Sequence, residues 1–289
     1  MPGLTRHLLR GLAPVVTCLC CLNLALGRET EEQFIRENPN SLHERFWLNA
    51  GIFRPYISTT LRLDLQGGMQ LGTTINLEED LGIKDSVSQG AAQAGLYLSK
   101  RLFVSLEFFQ LNREHVQTLE KDIQWGDEAF HIGATVGAFF DFELYRLAFG
   151  YDLVQGEKSY FGFVLGTHMI DTAVGIGIQL DGVGRVHIDT DASSGGFLPI
   201  PNIGFYYVYV PSARWRMVSR LDWFGLSIGE WDGKLWSGGL ALRYYLNNNF
   251  YLGAGGEYFR IDVNYANSKW HGELDLEYYG PFVQIGCRF

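Results

Sequence analysis

The chain has 289 residues, 15% of them aromatic and 35 of them glycine, with a formal net charge of −9. An acidic balance excludes the basic footprint by which proteins hold nucleic-acid phosphates. Glycine well above its usual ~7%, together with many aromatics, points to short strands in a closed antiparallel sheet and away from a helical bundle.

Residues 1–27 read as a cleaved export signal. Arg6, His7 and Arg10 form a basic head, GLAPVVTCLCCLNLAL is the apolar stretch, and Ala25 and Gly27 are small residues before the acidic RETEE. The stretch is too short, and too interrupted by Pro14 and Asn23, for an uncleaved anchor. Cleavage would remove Cys18, Cys20 and Cys21, leaving Cys287 alone and no internal disulfide. It would also remove two basic residues and no acidic one, moving the net charge from −9 to −11. Residues 28–44, charged and carrying Pro39, read as a periplasmic lead-in, and 45–289 as the folded body. In that body no apolar run reaches the ~20 residues of a membrane helix, so it crosses a membrane as strands or not at all.

Period-two alternation predicts the strands. In SQGAAQAGLYLS, Ala92, Ala94, Leu96 and Leu98 share one face, while Gln93, Gly95, Tyr97 and Ser99 share the other. Ten such segments follow in order: 46–66, 89–99, 102–113, 134–153, 159–181, 197–210, 214–228, 235–246, 250–265 and 273–289. Tight breaks at 99–101, 155–158, 211–214 and 247–249 alternate with longer polar segments near 67–88, 114–133, 182–196, 229–234 and 266–272. This is the pattern of an outer-membrane barrel, with short turns on one side and long loops on the other. The predicted fold is all-β, a closed antiparallel up-and-down transmembrane β-barrel of about ten strands, with eight and twelve as alternatives.

The face opposite the apolar one is repeatedly charged, and it predicts a polar lumen lined by Glu107, Asp141, Glu143, Arg146, Arg216, Arg220, Asp222, Arg243, Glu257, Arg260 and Asp262. Asp152 and Arg288 fall on the same kind of face. Lipid would then meet Leu102, Val104, Leu106 and Phe108, or Phe250, Leu252 and Ala254. Segments 134–153 and 250–265 need either a mid-strand phase slip, such as a bulge, or a rise above the membrane.

The last segment alternates to its final residue, with Val283, Ile285, Cys287 and Phe289 on one face. Unpaired backbone in hydrocarbon costs several kcal/mol per group, so this strand is expected to pair with the first, around Phe46–Phe53. A final strand ending in an aromatic is similar to the assembly signal of Gram-negative outer-membrane proteins, which implies the barrel-assembly machinery as a partner and Phe289 as the signal residue. GTTINLEEDLGI, residues 72–83, resembles a group of largely uncharacterised proteobacterial outer-membrane barrels that carry an acidic Leu-x-x-Asp-Leu-Gly element after the first strand. Here that element is Leu77, Glu78, Glu79, Asp80, Leu81 and Gly82. The resemblance implies a location and a fold, with no established activity.

Omptin-like proteases also have ten strands and need an acid pair facing an acid–histidine pair at the rim. VHIDTD offers His187, Asp189 and Asp191 on one wall only, and a solvated acidic loop is the simpler reading. Outer-membrane lipid hydrolases use a histidine with a nearby serine. His168, expected to face the lumen, has Thr167 and Asp171 beside it and no close serine, while His115, His131 and His271 lie in or near loops. Glu78, Glu79, Asp80 and Asp85 lack metal-ligand spacing and read as a solvated loop, at most sharing a divalent ion with lipopolysaccharide phosphates.

These residues predict a monomeric, non-enzymatic outer-membrane barrel with no cofactor or metal, in contact with lipid and lipopolysaccharide. Its charges would pair into a plug, since ten strands lie near the narrow end of the barrel range. A narrow channel for ions or small solutes is the alternative, and a rim hydrolase is the third.

Overall fold

The computed structural model describes residues 44–65, 73–125, 128–178, 193–266 and 270–289. The expected signal, 1–27, and all of the lead-in except Glu44 lie outside them. Fourteen strands follow in chain order: β1 (Phe46–Phe53), β2 (Tyr56–Leu65), β3 (Ile75–Asn76), β4 (Gln89–Tyr97), β5 (Leu102–Thr118), β6 (Ile123–Trp125), β7 (Glu128–Phe130), β8 (Thr135–Gln155), β9 (Ser159–Ile178), β10 (Ser193–Ser212), β11 (Trp215–Ile228), β12 (Trp231–Tyr245), β13 (Phe250–Ala266) and β14 (Trp270–Arg288).

The ladder runs β1-β4-β5-β8-β9-β10-β11-β12-β13-β14 and returns from β14 to β1, so the sheet is a closed antiparallel barrel of ten strands. The first barrel strand is built from β1 and β2, both paired to β14 and interrupted at Arg54 and Pro55. Proline lacks the ladder donor, which accounts for a break at this point. Closure reaches the last residue: the Phe46 amide donates to the Phe289 carbonyl at 3.0 Å and Phe289 donates back at 2.9 Å. The short turns fall where the sequence breaks predict them. The connection near 229–234 is tighter than expected, because β11 runs to Ile228, β12 starts at Trp231, and Gly229 takes a positive φ of 60° between them.

Strand length explains the remaining pattern. β8, β9 and β10 have 21, 20 and 20 residues, about twice the 9–11 that cross a hydrocarbon layer. Their two halves face opposite environments. Toward the end closed by short turns (the turn end), the outside of β8 carries Phe149, Tyr151 and Leu153, and its inside carries Arg146 and Asp152. Toward the other end (the loop end), the inside carries Phe140, Phe142 and Leu144, all buried, and the outside carries Asp141 and Glu143. The same reversal occurs on β13, where Leu252 faces out at one end and Ile261 faces in at the other.

Neither strand slips phase to achieve this. The β8–β9 register is continuous from Val136 to Asp152 and shifts only between Asp152 and Val154, and β12–β13 is continuous throughout. The rise above the apolar zone replaces the bulge. Four side chains expected in the lumen are therefore corrected: Asp141, Glu143, Arg260 and Asp262 point out of the barrel. Asp141 accepts from Asn112 at 2.7 Å and Glu143 from Gln110 at 3.3 Å. Arg260 bonds Asp275 at 2.9 Å, and Asp262 accepts from Asn264 at 2.9 Å. The expectation of a polar lumen along the whole barrel is corrected with them, since the loop-end half of the interior is an apolar core.

That core includes the segment between β2 and β4. Leu77, Leu81 and Ile83 are 0%, 1% and 2% exposed and pack with Phe53, Phe109, Phe142 and Tyr278. The hairpin β6–β7 adds Ile123 and Phe130 to the same cluster. The acidic element is thus folded inward, which corrects its reading as a solvated loop. Asn76 Oδ1 accepts from the amides of Glu78 and Glu79 at 3.0 and 2.9 Å, and the Asn76 amide donates to Asp80 Oδ2 at 2.9 Å. Such Asx bonding closes a tight turn. The Glu78 carboxylate turns back to the Thr59 amide at 2.8 Å and pairs with Arg113.

Candidate functional site: a charged belt and chamber inside the barrel

Below the apolar core, strand register brings one polar row across the inside of the wall. Asn49 lies opposite Gln93, Gln93 opposite Glu107, Glu107 opposite Arg146, and Arg146 opposite His168, on β1, β4, β5, β8 and β9. Opposed residues in adjacent strands point to the same face, so five side chains form a continuous belt. Asn49 Nδ2 donates to Gln93 at 3.0 Å and Gln93 Nε2 donates to Glu107 at 2.7 Å.

Across the lumen the belt meets β11 and β13. Arg146 bonds Glu107 through Nη1 and Asp222 through Nη2, each at 2.9 Å. Arg220 bonds Asp222 at 3.1 Å, Glu107 at 3.1 Å and Glu257 at 3.2 Å. Two guanidiniums thus hold three carboxylates, with Asp222 wholly buried and Arg146 3% exposed. Charges removed from water are tolerated only when paired in this way.

A second cluster lies at the turn end. Glu44, just ahead of β1, sends its carboxylate into the barrel, where it pairs with Arg216 and accepts from the Tyr245 hydroxyl. Arg243 and Arg288 each lie 3.7 Å from it, and the Arg288 guanidinium stacks 4.0 Å over the Tyr245 ring. Beside this cluster Trp47, Phe103, Tyr97 and Tyr206 pack edge to face or tilted at 5.2–5.9 Å, with Asp152 accepting from Tyr206. Gly95 makes room for the Trp47 ring, which occupies the space a Cβ would need.

Between belt and core lies a chamber of about 110 Å³. Phe53, Phe109, Leu144 and Tyr278 form its loop-end wall, and Glu107, Arg146, Arg220 and Glu257 its ionic side. His168 also lines it, 0% exposed, its ring 6.0 Å from Phe259. The buried Asn202 side chain is the polar neighbour of the His168 ring, and among the described residues Gln284 Nε2 on the same chamber has no hydrogen-bond partner.

Of the side chains expected in the lumen, Glu107, Arg146, Arg216, Arg220, Asp222, Arg243 and Glu257 point inward, as do Asp152 and Arg288. Phe289 lies on the outside, 56% exposed, its ring 6.4 Å from Phe46. Sequence reading missed Glu44, because nothing in a lead-in shows that its carboxylate turns into the barrel, and it missed the belt, because register is not visible in one strand. Gln93 was legible by its parity with Gly95 and Tyr97. His187, Asp189 and Asp191 lie outside the described residues. Thr167 and Asp171 have outward parity on β9, so neither shares the lumen with His168.

No protein-family model matches the chain, and no curated protein matches it. Among solved structures it is similar to the outer membrane protease OmpT of Escherichia coli (TM-score 0.49, 10% identity, covering 86% of this chain and 100% of that one). It is also similar to OprG of Pseudomonas aeruginosa (0.34, 14%, 86% and 97%) and to the toluene transporter TodX of Pseudomonas putida (0.34, 7%, 86% and 91%). At such identities and TM-scores these likenesses carry nothing about the chemistry of this chain, which is an all-β closed ten-strand barrel on its own hydrogen-bond ladder.

Proposed function

We propose that the chain is an integral outer-membrane barrel, non-enzymatic and non-conducting, that presents its loop-end half beyond the membrane as a structural or surface-interacting element. Supporting the membrane reading is the outer band of the turn-end half, where Leu106, Phe149, Leu165, Leu221, Leu240 and Ile285 are all exposed apolar side chains. Tyr56, Tyr279, Tyr258, Trp236 and Trp223 edge that band where polar side chains begin, in the manner of an aromatic girdle. The acid and amide groups above it, including Asp141 and Glu143, suit contact with water and lipopolysaccharide headgroups. The outward Phe289 suits the role of an assembly signal.

The observation that carries the closed reading is the filling of the lumen: aromatic and Glu44–arginine clusters at the turn end, a belt of shared ion pairs at mid-height, and an apolar core above. In this reading the belt charges engage one another, and the three turn-end arginines share Glu44 and the aromatic rings beside it. The test is single-channel conductance of the refolded protein in a planar bilayer, with Arg220→Ala and Arg243→Ala beside it. All three are expected to be silent. Steady conductance in the unsubstituted protein, altered by either substitution, would replace this reading with the narrow channel.

A further inference from the structure

Above Phe53 and Gln89 the barrel wall loses its ladder. β1 pairs with β4 only as far as those residues. Beyond them β2 pairs with β14 and the two-residue β3, and among the described residues β5 beyond Phe109 pairs with β8 alone. Residues 75–86 fill the gap as a strap, and its two sides are attached differently. On the β2 side a run of backbone bonds is present: Leu77 donates to the Thr59 carbonyl at 2.9 Å, Ile57 donates to the Asp85 carbonyl at 2.7 Å, and Asn76 pairs with Thr60, with the Glu78 carboxylate accepting from the Thr59 amide beside them. On the β5 side, among the described residues, they are made by side chains: Arg113 to Glu78 and, at 3.4 Å, to the Lys84 carbonyl, Gln117 to the Asp80 carbonyl, and beyond β5 Lys121 to Asp80 at 2.8 Å. A ladder on one edge and a row of side-chain bonds on the other make a hinge and a latch.

Behind the strap, Leu77, Leu81 and Ile83 belong to the same apolar cluster as Phe53, Phe109, Leu144 and Tyr278, which form the loop-end wall of the chamber. The packing between strap and chamber is therefore apolar, and the chamber carries a buried imidazole, His168, with the Asn202 side chain beside it. We propose that the chamber is a binding site for a small amphiphile, an apolar body with one hydrogen-bonding head, which enters sideways past the strap and places its head against His168. A chamber of about 110 Å³ limits the body to a few carbon atoms, since a cavity of ~150 Å³ holds benzene. The polar head answers His168, and the apolar body replaces contacts with the aromatic wall.

This inference rests on the closed lumen, and the experiment separates the two. Ser237→Cys places a thiol at a chamber-lining position that is 4% exposed, in a Cys287→Ser background. Its modification by ethyl methanethiosulfonate is followed by mass spectrometry on the refolded protein in nanodiscs, with Gln117→Ala and Lys121→Ala as two independent latch variants. Folding of each is checked by heat-modifiable migration. The expected result is slow modification with the strap intact and about tenfold faster modification in either latch variant, the effect of ~1.4 kcal/mol on an opening equilibrium. 1-Butanol is expected to slow it, and His168→Leu to abolish that protection. Unchanged rates in both folded latch variants would overturn the entry route, and absence of protection by 1-butanol would overturn the site, leaving a chamber that holds water only. Modification at the rate of a free thiol with the strap intact would overturn the closed lumen itself.

Discussion

At the scale of single residues, the belt turns on Arg146. It lies between two carboxylates, and removing it leaves Glu107 and Asp222 without their shortest ionic partner. Breaking a buried pair from one side costs roughly 3–5 kcal/mol, because the remaining charge stays out of water. Arg146→Met is accordingly expected to lower unfolding stability of the refolded barrel by about that amount in urea titrations. Adding Asp222→Asn to it is expected to recover part of the loss, a coupling that two independent sites would not show. Gly82 is the second critical residue, with φ at +61° and His115 and Gln117 in the space a Cβ would take. Gly82→Ala is expected to cost about 1–3 kcal/mol in the same titration, since it adds left-handed strain to a collision in the strap. Together Leu77, Leu81 and Gly82 give the acidic element a physical meaning: two apolar anchors, a turn closed by Asn76 and Asp80, and one position where the backbone must turn left-handed.

At the scale of elements, period-two alternation was enough to place all ten barrel strands and their short turns, because each strand separates two unlike environments and its pattern records both. It was not enough to say which side is which along a whole strand. The pattern in β8 stays in phase while its meaning reverses: Arg146 and Phe142 share the inward face, and Tyr151 and Asp141 share the outward one. Reading charge as lumen misplaced Asp141, Glu143, Arg260 and Asp262, since charge marks the wet side and the wet side changes partway up. The strap was illegible for a different reason. Its leucines are separated by acids at loop-like spacing, and only the gap in the wall between β2 and β5 shows what the leucines cover. Glu44 and the cross-strand belt depend on contacts between residues far apart in sequence, which no local pattern encodes.

At the scale of the whole molecule, the barrel is two stacked solutions to the same packing problem. The turn-end half has an apolar exterior and ion pairs within, while the loop-end half resembles a water-soluble barrel, with an apolar centre and charged outer strands. A matched pair of substitutions tests this division. Leu240→Arg, in the middle of the outer apolar band and 52% exposed, is expected to destabilise the bilayer-inserted protein by about 2–4 kcal/mol. Asp141→Arg on the loop-end exterior is expected to stay within about 0.5 kcal/mol. Equal effects in bilayer unfolding experiments would mean that the two halves share one environment.

The reversal of faces also gives the inserted protein a direction. Sliding the barrel along its axis by the height of a few residues would draw Asp141, Glu143, Arg260 and Asp275 into hydrocarbon from one side, or push Phe149, Leu240 and Ile285 into water on the other. In the proposed outer-membrane location both displacements cost free energy, so the outer surface itself sets the depth of the barrel, like a rivet with a head.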